Sequence, residues 1–392
     1  MAIYGIVCEY NPFHNGHLYQ LSSIKKNDDD IVVAIMSPNV VQRGDFACLS
    51  KWDRAKAALN CGVDLVLELP SIYALATAER FAFGAVYSLN ALGCIDFLSF
   101  GSECGDALKL KKAAQTVSNE NVDKKIAEFL KEGVTYAKAR SLAVASENPE
   151  INDIISNPND ILAIEYIKVL NDLNSSIKPL PLLRKGSYHQ KEVNQNEFAS
   201  AGFIRENLKL QTLSEFTPPS AFEIYKTAFE NGGFSNGAAS LSDAILLKLR
   251  LTSPEKLKSL SDVSEGLENR IIRAANESNS FEELCENIKT KRYTMSRIHR
   301  ILMYALLDFP NFKEIPNPPY IRVLAVNKKG MEVISQKKSS LPIVYSLSKA
   351  KELSEDAKMF AEIEEKCTAA FNLTLQNKKE AKNEFSTQTI FA

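Results

Sequence analysis

Two histidines, His14 and His17, stand three residues apart with Gly16 between them, directly after Asn11-Pro12-Phe13. At the start of a helix this spacing turns both imidazoles towards one bound phosphate. The unpaired N–H groups of the first turn favour the same anion. Gly16, lacking a side chain, is expected to let a nucleotide approach the backbone. A lone histidine near a helix start reads as a structural or solvated residue. A His-x-Gly-His pair after an apolar strand and an Asn-Pro break reads as a nucleotide site, because the context supplies both the turn and the helix.

The surrounding elements must hold that turn at one edge of a sheet. Ile3, Ile6 and Val7 mark a buried first strand, Asn11-Pro12 breaks it, and a helix is predicted from near His17 with Leu18, Leu21 and Ile24 on its apolar face. Further strands are predicted at Ile31 to Met36, Asp64 to Leu69, Ile95 to Phe100 and Lys178 to Leu183. Helices lie between them, including Lys51 to Leu59 with Ser50 as cap, one spanning Ala74 to Leu92, and a lysine-rich helical stretch from Asp106 to about Asn148. Alternation of this kind predicts a doubly wound, Rossmann-like parallel sheet. Its ligands bind beyond the carboxyl ends of the strands, where the loops after Glu9, Met36, Leu69 and Phe100 emerge. The same edge receives Gly101, the helix start at Asn157-Pro-Asn159, and Arg184, delivered by the fifth strand ahead of Lys185-Gly-Ser-Tyr-His189. Ser200 is the expected cap of a helix carrying Arg205. Guanidinium groups suit multi-donor phosphate contact, which marks Arg184 and Arg205 as candidates. Gln42, Arg43 and Lys51 follow the second strand on this edge, Lys51 reading equally as a solvated first-turn lysine.

Beyond Thr217-Pro-Pro219 helical segments succeed one another to Phe309-Pro310. The chain then passes through Pro316-Asn-Pro-Pro319 to two strands, Ile321 to Val326 and Leu341 to Tyr345, with a last dozen residues that are polar and read as frayed. The expected architecture is therefore α/β: a Rossmann-like doubly wound parallel sheet over residues 1–215, a mainly α-helical domain over 216–315, and a small α/β C-terminal piece over 320–392.

Composition narrows the function classes. Of 392 residues, 45% are hydrophobic and 24% charged, an ordinary globular balance. The formal net charge of −1 confines any nucleic-acid contact to a local patch. Seven cysteines fall at positions 8, 48, 61, 94, 104, 285 and 367 with no Cys-x-x-Cys pair, the pattern of dispersed thiols in a reducing compartment rather than of a zinc site. With no charged leader and no apolar run of membrane-spanning length, a cytoplasmic protein without membrane partners is expected.

Words spread along most of the chain are more specific than the histidine pair. Glu9-Tyr-Asn-Pro-Phe-His-Asn-Gly-His-Leu-Tyr19, Val41-Gln-Arg-Gly44, Lys51-Trp52, Asp64-Leu-Val-Leu-Glu-Leu-Pro70, Phe81-Ala-Phe-Gly-Ala85 and Phe100-Gly-Ser-Glu103 occur in order. They continue with Asn157-Pro-Asn159, Ser264-Glu-Gly-Leu-Glu-Asn-Arg270, Lys291-Arg-Tyr-Thr294 and Tyr320-Ile-Arg-Val-Leu324. In these words the chain resembles the bacterial tRNA(Met) cytidine acetate ligase family, within the HIGH-type nucleotidyltransferase superfamily. It departs from the family pattern at Pro38, after Arg184, and in the C-terminal tail. The resemblance implies a cytoplasmic, ATP-dependent, AMP-forming ligase acting on acetate and elongator tRNA(Met), with Mg²⁺ accompanying ATP and no role for DNA. Acetate is activated as acetyl-adenylate and the acetyl group passes to N4 of the wobble cytidine.

Carried over by motif, ATP would be held by Val7, Cys8, Glu9, Tyr10, Asn11, Pro12, Phe13, His14, Asn15, Gly16, His17, Leu18, Tyr19 and Gln20, together with Gly101, Asn159, Arg184, Ser200 and Arg205. His14 and His17 take the catalytic role. Gln42, Arg43 and Lys51 are candidates for the acetate pocket or the transcript. Lys291, Arg292, Tyr293 and Arg297 are candidates for tRNA, with Tyr293 stacking on a base. His189 is one possible base for the transfer step. A small-molecule nucleotidyltransferase and a non-catalytic tRNA-binding protein would share the first loop. The helical region after residue 217 disfavours the former, and the intact His14, Gly16 and His17 disfavour the latter.

Overall fold

The computed structural model describes residues 1–134, 136–184, 198–264, 266–381 and 383–392. Strands β1 (Ile3–Cys8), β2 (Ile31–Met36), β5 (Leu65–Glu68), β6 (Phe97–Ser102) and β7 (Lys178–Leu183) form one parallel sheet, and β3 (Val40–Val41) and β4 (Asp45–Phe46) form a separate hairpin. Across the sheet the five stand β5-β2-β1-β6-β7, the order in which a chain starts at the centre, winds one way and then the other. Each residue of β2 is buried, as expected of a central strand covered by helices on both faces. The predicted doubly wound sheet is thus present.

Several boundaries differ from those predicted. The first helix runs Asn15–Ile24 with His14 as its cap, so the turn closes earlier than the apolar pattern suggested. The fourth parallel strand continues to Ser102, which puts Gly101 within β6 rather than in the loop beyond it. The helix predicted from Ala74 to Leu92 is interrupted, forming Ser71–Ala74 and Ala78–Ala91.

The C-terminal strands extend the main sheet. Strand β8 (Ile321–Val326) lies antiparallel to β5, and β9 (Ile343–Val344) and β10 (Ile390–Phe391) both pair with β8. The last dozen residues are accordingly not frayed: β10 is in the sheet, and Glu384 and Thr389 are buried. Glu384 explains why. Together with Glu68 it receives Lys51 and Arg322, whose side chains are both buried, and its second oxygen accepts from Thr368 Oγ1 at 2.7 Å. Lys51 is therefore neither a solvated lysine nor a group facing substrate or transcript. Ser50 caps its helix as predicted, and that geometry turns Lys51 inward to the carboxylates. A third acid, Glu364, accepts from Ser71 N–H and Oγ–H. Burial, then the charge of Glu68, push its carboxyl well above the usual carboxylate range.

A second buried cation shapes the site edge. Arg54 is fully buried and meets only carbonyl oxygens: Nε donates to Leu49 at 3.0 Å, Nη1 to Glu9 at 2.5 Å and Ser37 at 3.0 Å, and Nη2 to Pro38. One planar group thereby satisfies the chain ends that leave β1 and β2. Replacing it with leucine strips donors from several buried carbonyls, at roughly 1–3 kcal/mol for each group left unpaired. We expect Arg54→Leu to lower the unfolding free energy by about 3 kcal/mol or more. Urea titration measures this, and a loss below about 1 kcal/mol would contradict the assigned role.

Candidate nucleotide site

The first turn after β1 is built by its own histidines. His14 Nδ1 accepts the N–H of Gly16 at 3.0 Å, and His17 Nδ1 accepts the N–H of His14 at 3.2 Å. This is a capping box made with imidazoles in place of the usual hydroxyl and carboxylate. The two rings lie 3.9 Å apart, centroid to centroid. Since each Nδ1 accepts, a neutral ring carries its proton on Nε2. Both histidines thus offer an Nε2–H donor not used in the cap.

Both rings are held neutral. Loss of hydration, followed by the charges of Arg184 and Arg205, brings His14 down to about 3. His17 is also pushed far below its ordinary value by burial, then by His14 and Arg184. The two predicted phosphate arginines and the two histidines are therefore one electrostatic group. Arg184 projects from the end of β7, its backbone N–H on Ser102 O at 3.0 Å, and Arg205 lies on the Ser200-capped helix Ala201–Glu206.

Gly16 has a task within the protein as well. A Cβ at this position would lie 2.8 Å from His14 Cε1 and 3.0 Å from Nδ1, so the missing side chain makes room for the imidazole cap. Gly101 likewise makes room for Arg184, whose Cγ would stand 3.2 Å from an added Cβ.

The rest of the segment divides into scaffold and rim. Cys8, Tyr10, Asn11, Pro12 and Phe13 are buried, whereas Val7, Glu9 and His14 through Gln20 are partly exposed. Tyr10, in a left-handed backbone conformation (φ 45°), packs against both Phe13 and His17. Asn11 Oδ1 accepts from Cys48 N–H at 2.7 Å and its carbonyl from Arg205 Nη1 at 2.6 Å. Phe13 N–H donates to Tyr225 Oη at 3.0 Å. Asn15 reaches Glu215 O, and Gln20 donates to Ser99 Oγ on β6. Leu18 packs against the core, and Tyr19 lies against Phe198.

At the far side of the crevice Asn159 does not cap its helix. Asn157 holds the cap position of Pro158–Asp172, and Asn159 Nδ2 donates to Glu103 Oε1 at 2.5 Å. Asp160, fully buried, accepts from Ser102 Oγ and from the N–H of Cys104 at 3.1 Å, fixing the turn that follows β6. Arg54, Glu103 and Asp160 were not predicted as contributors. Glu103 and Asp160 adjoin the motif positions 101 and 159, which was the available signal. An arginine in the first turn of a helix, between Asp53 and Ala55, carried none.

The β3–β4 hairpin carries Gln42 and Arg43 at its tip. Gln42 N–H donates to Glu9 Oε1 at 2.9 Å, and its side-chain nitrogen is buried with no partner among the described residues. Gly44 (φ 85°) permits the tip to press against His299 and Arg300 of the Met295–Leu307 helix, where a Cβ would lie 2.4 Å from Arg300 N. Near that helix Lys291 and Arg292 are exposed, but two expected RNA contacts are corrected. Tyr293 is 8% exposed, with Arg297 above its ring at 5.0 Å, so its face is not open to a base. Arg297 is itself bound to Asp262 O at 2.7 Å and Ser264 Oγ at 2.9 Å. His189 and residues 185–188 lie outside the described residues.

Comparison with known proteins agrees along the whole chain. The HIGH Nucleotidyl Transferase family model matches residues 1–386. The tRNA(Met) cytidine acetate ligase of Thermoanaerobacter sp. (strain X514) is 45% identical over 372 residues, 92% of each chain. That of Alkaliphilus metalliredigens (strain QYMF) is 39% identical over 411 residues, 98% of this chain and 97% of the relative. A crystal structure of apo Thermotoga maritima TmcAL superimposes with a TM-score of 0.93 at 30% identity, covering 100% and 99% of the two chains. The same protein bound with alpha-thio ATP gives 0.91 at 32% identity, with the same coverage.

The neutral histidines have a measurable consequence. An unfolded chain protonates them near 6.5, whereas the folded site resists protonation down to about 3 for His14. The unfolded state therefore binds more protons across that interval, and this contribution to stability is present above about 6.5 and lost as pH falls below it. The Cε1–H NMR signals of His14 and His17 are expected not to titrate between pH 8 and about 5. A midpoint near 6.5 for either would refute the assigned environment.

Proposed function

Because this chain belongs to the HIGH nucleotidyl transferase family, whose matched relatives are tRNA(Met) cytidine acetate ligases, we propose that it joins acetate to a cytidine of tRNA(Met) at the expense of ATP. The observation that carries this reading is the pair of neutral Nε2–H donors on a helix N-terminus, flanked by Arg184 and Arg205. Such a site suits a triphosphate, with cationic groups for the outer phosphates and fixed dipoles where charge develops.

In the first step an acetate oxygen attacks the α-phosphorus and the bond to pyrophosphate breaks. The protein's task is alignment and charge stabilisation. His14 and His17 donate to phosphate oxygens as negative charge moves onto the leaving group, and neutrality lets them do so without a proton-transfer step. Arg184 and Arg205 hold the departing phosphates. Among the described residues no group of three or more His, Cys, Asp or Glu side chains is placed to hold a metal ion. Mg²⁺ accompanying ATP would be held by the phosphates and water, where it would neutralise charge. Gln42, whose buried side-chain nitrogen has no partner among the described residues, serves the acid side of the crevice, and Arg43 beside it on the hairpin serves the transcript.

In the second step the cytidine N4 attacks the acetyl carbonyl, the N–C bond forms, AMP leaves and N4 loses a proton. The base must be unpaired to reach the crevice, as in single-stranded RNA recognition generally. Lys291 and Arg292, exposed near the helix that supports the hairpin, contact the phosphate backbone. All seven cysteines are free, which fits a reducing compartment such as the cytoplasm. No described helix is long and apolar enough to cross a membrane.

Incubation with ATP, labelled acetate and bulk tRNA should place label in one tRNA species as N4-acetylcytidine; adenylate without transfer would refute the RNA step. Replacing His17 with alanine should lower acetate-dependent ATP–pyrophosphate exchange about a hundredfold, equivalent to ~3 kcal/mol. Exchange at the wild-type rate would remove His17 from the mechanism. Converting both Lys291 and Arg292 to alanine should weaken tRNA binding and flatten its salt dependence by roughly 0.7 for each phosphate no longer neutralised, with adenylate formation intact. An unchanged salt slope would place the RNA elsewhere.

A further inference from the structure

The strand order opens a crevice between β1 and β6, where the chain leaves the sheet towards opposite faces. His14 and His17 form the phosphate wall. The opposite wall is the turn after β6 and the start of the Pro158–Asp172 helix, where Glu103 makes two bonds. Its Oε2 accepts the Asp160 N–H at 3.1 Å, and its Oε1 accepts Asn159 Nδ2 at 2.5 Å. The Asp160 partner is fixed, whereas the Asn159 amide is oriented by Glu103. Asp160 is locked by Ser102, Cys104 and Asn157, the last at 3.1 Å, so its backbone N–H is a fixed donor.

A carboxylate only accepts hydrogen bonds. The Asn159 amide must therefore turn its nitrogen to Glu103, which directs Oδ1 the other way. We infer that Glu103 is a specificity-determining positioning residue that holds Asn159 as a hydrogen-bond acceptor towards the nucleotide base. An acceptor there suits a purine with a 6-amino group, as in adenine. A 6-oxo purine such as guanine presents a second acceptor and leaves both unpaired. This inference rests on the reading above that Asn159 lies against the nucleotide.

An isosteric change at Glu103 has an unusual consequence. In Glu103→Gln one oxygen remains, and the fixed Asp160 N–H claims it. The new amide nitrogen then faces Asn159, which can meet it only through Oδ1. Asn159 is turned round and presents Nδ2 to the base, so the preference is inverted, not merely weakened. Glu103→Ala releases Asn159 to adopt either orientation.

Calorimetric titration of ATP and GTP into the wild type, Glu103→Ala and Glu103→Gln tests this without depending on turnover. The ATP-to-GTP affinity ratio is expected to fall in that order, by about tenfold or more between wild type and Glu103→Gln. A ratio that stays constant while both affinities drop marks Glu103 as merely structural and overturns the inference, as does an unchanged ratio. If Glu103→Gln fails to fold, the ratio in Glu103→Ala decides alone. A wild type that binds neither nucleotide overturns the functional reading as well, whereas tight ATP binding with no reordering among variants overturns only the role given to Glu103.

Discussion

A buried charge whose hydrogen bonds go to carbonyl oxygens lies beneath the candidate site, and the loops of the site depend on it. Arg54 is fully buried, and its bonded partners are the carbonyls of Leu49, Glu9, Ser37 and Pro38. A parallel sheet that opens a ligand crevice must end its strands there, and each departing chain exposes carbonyls that the ladder no longer pairs. The planar fork of an arginine reaches carbonyls on two strand ends and a helix start together, which the point charge of a lysine does not. Burial pulls the Arg54 pKa down, a cost offset by these charge-assisted bonds. The histidine turn is then held from the other side, through Asn11 by Cys48 and Arg205, and through Phe13 by Tyr225.

On that support the histidines serve structure and chemistry through opposite ring nitrogens. Nδ1 closes the first turn, and the same bond dictates that Nε2 carries the proton. A serine or aspartate cap would satisfy the turn but offer no outward donor of this kind. The neighbouring arginines complete the logic. Burial first, then the charge of Arg184 on both rings and of Arg205 on His14, depresses the histidines in the free protein, and a triphosphate between the arginines would neutralise that charge while accepting the Nε2–H bonds. Positive charge and neutral donors thus act on different parts of one ligand.

What was legible in the sequence follows from which physical signals are local. The parallel strands are nearly continuous apolar runs, and Ser50 and Ser200 announce their helices because a cap is made within three residues. His14, His17, Arg184 and Arg205 were also readable, since motif and strand end place them. The failures are non-local. Lys51 reads as an exposed first-turn lysine until Glu384, over three hundred residues later, is found beside it. Tyr293 reads as a stacking aromatic until Arg297 folds over it. Gly16 and Gly101 were recognised as necessary, but the room each makes for one of the protein's own side chains, His14 and Arg184, was not.

The hairpin bearing Gln42 and Arg43 shows how those distant contacts reach the site. At its base Asn39 accepts the Lys51 N–H at 2.9 Å and donates to Thr368 at 3.0 Å, and Thr368 donates to Glu384. At its tip Gly44 lies against His299 and Arg300, and Asp45 accepts the Ala238 N–H at 2.7 Å. A short two-stranded ribbon is not stable in isolation. Here its ends are held by the C-terminal segment and by the helical region, while Glu9 of the nucleotide turn takes the Gln42 N–H. An element tied at all three points cannot shift at one without load on the others. The ribbon therefore couples the nucleotide turn to the helical region and to the C-terminal segment.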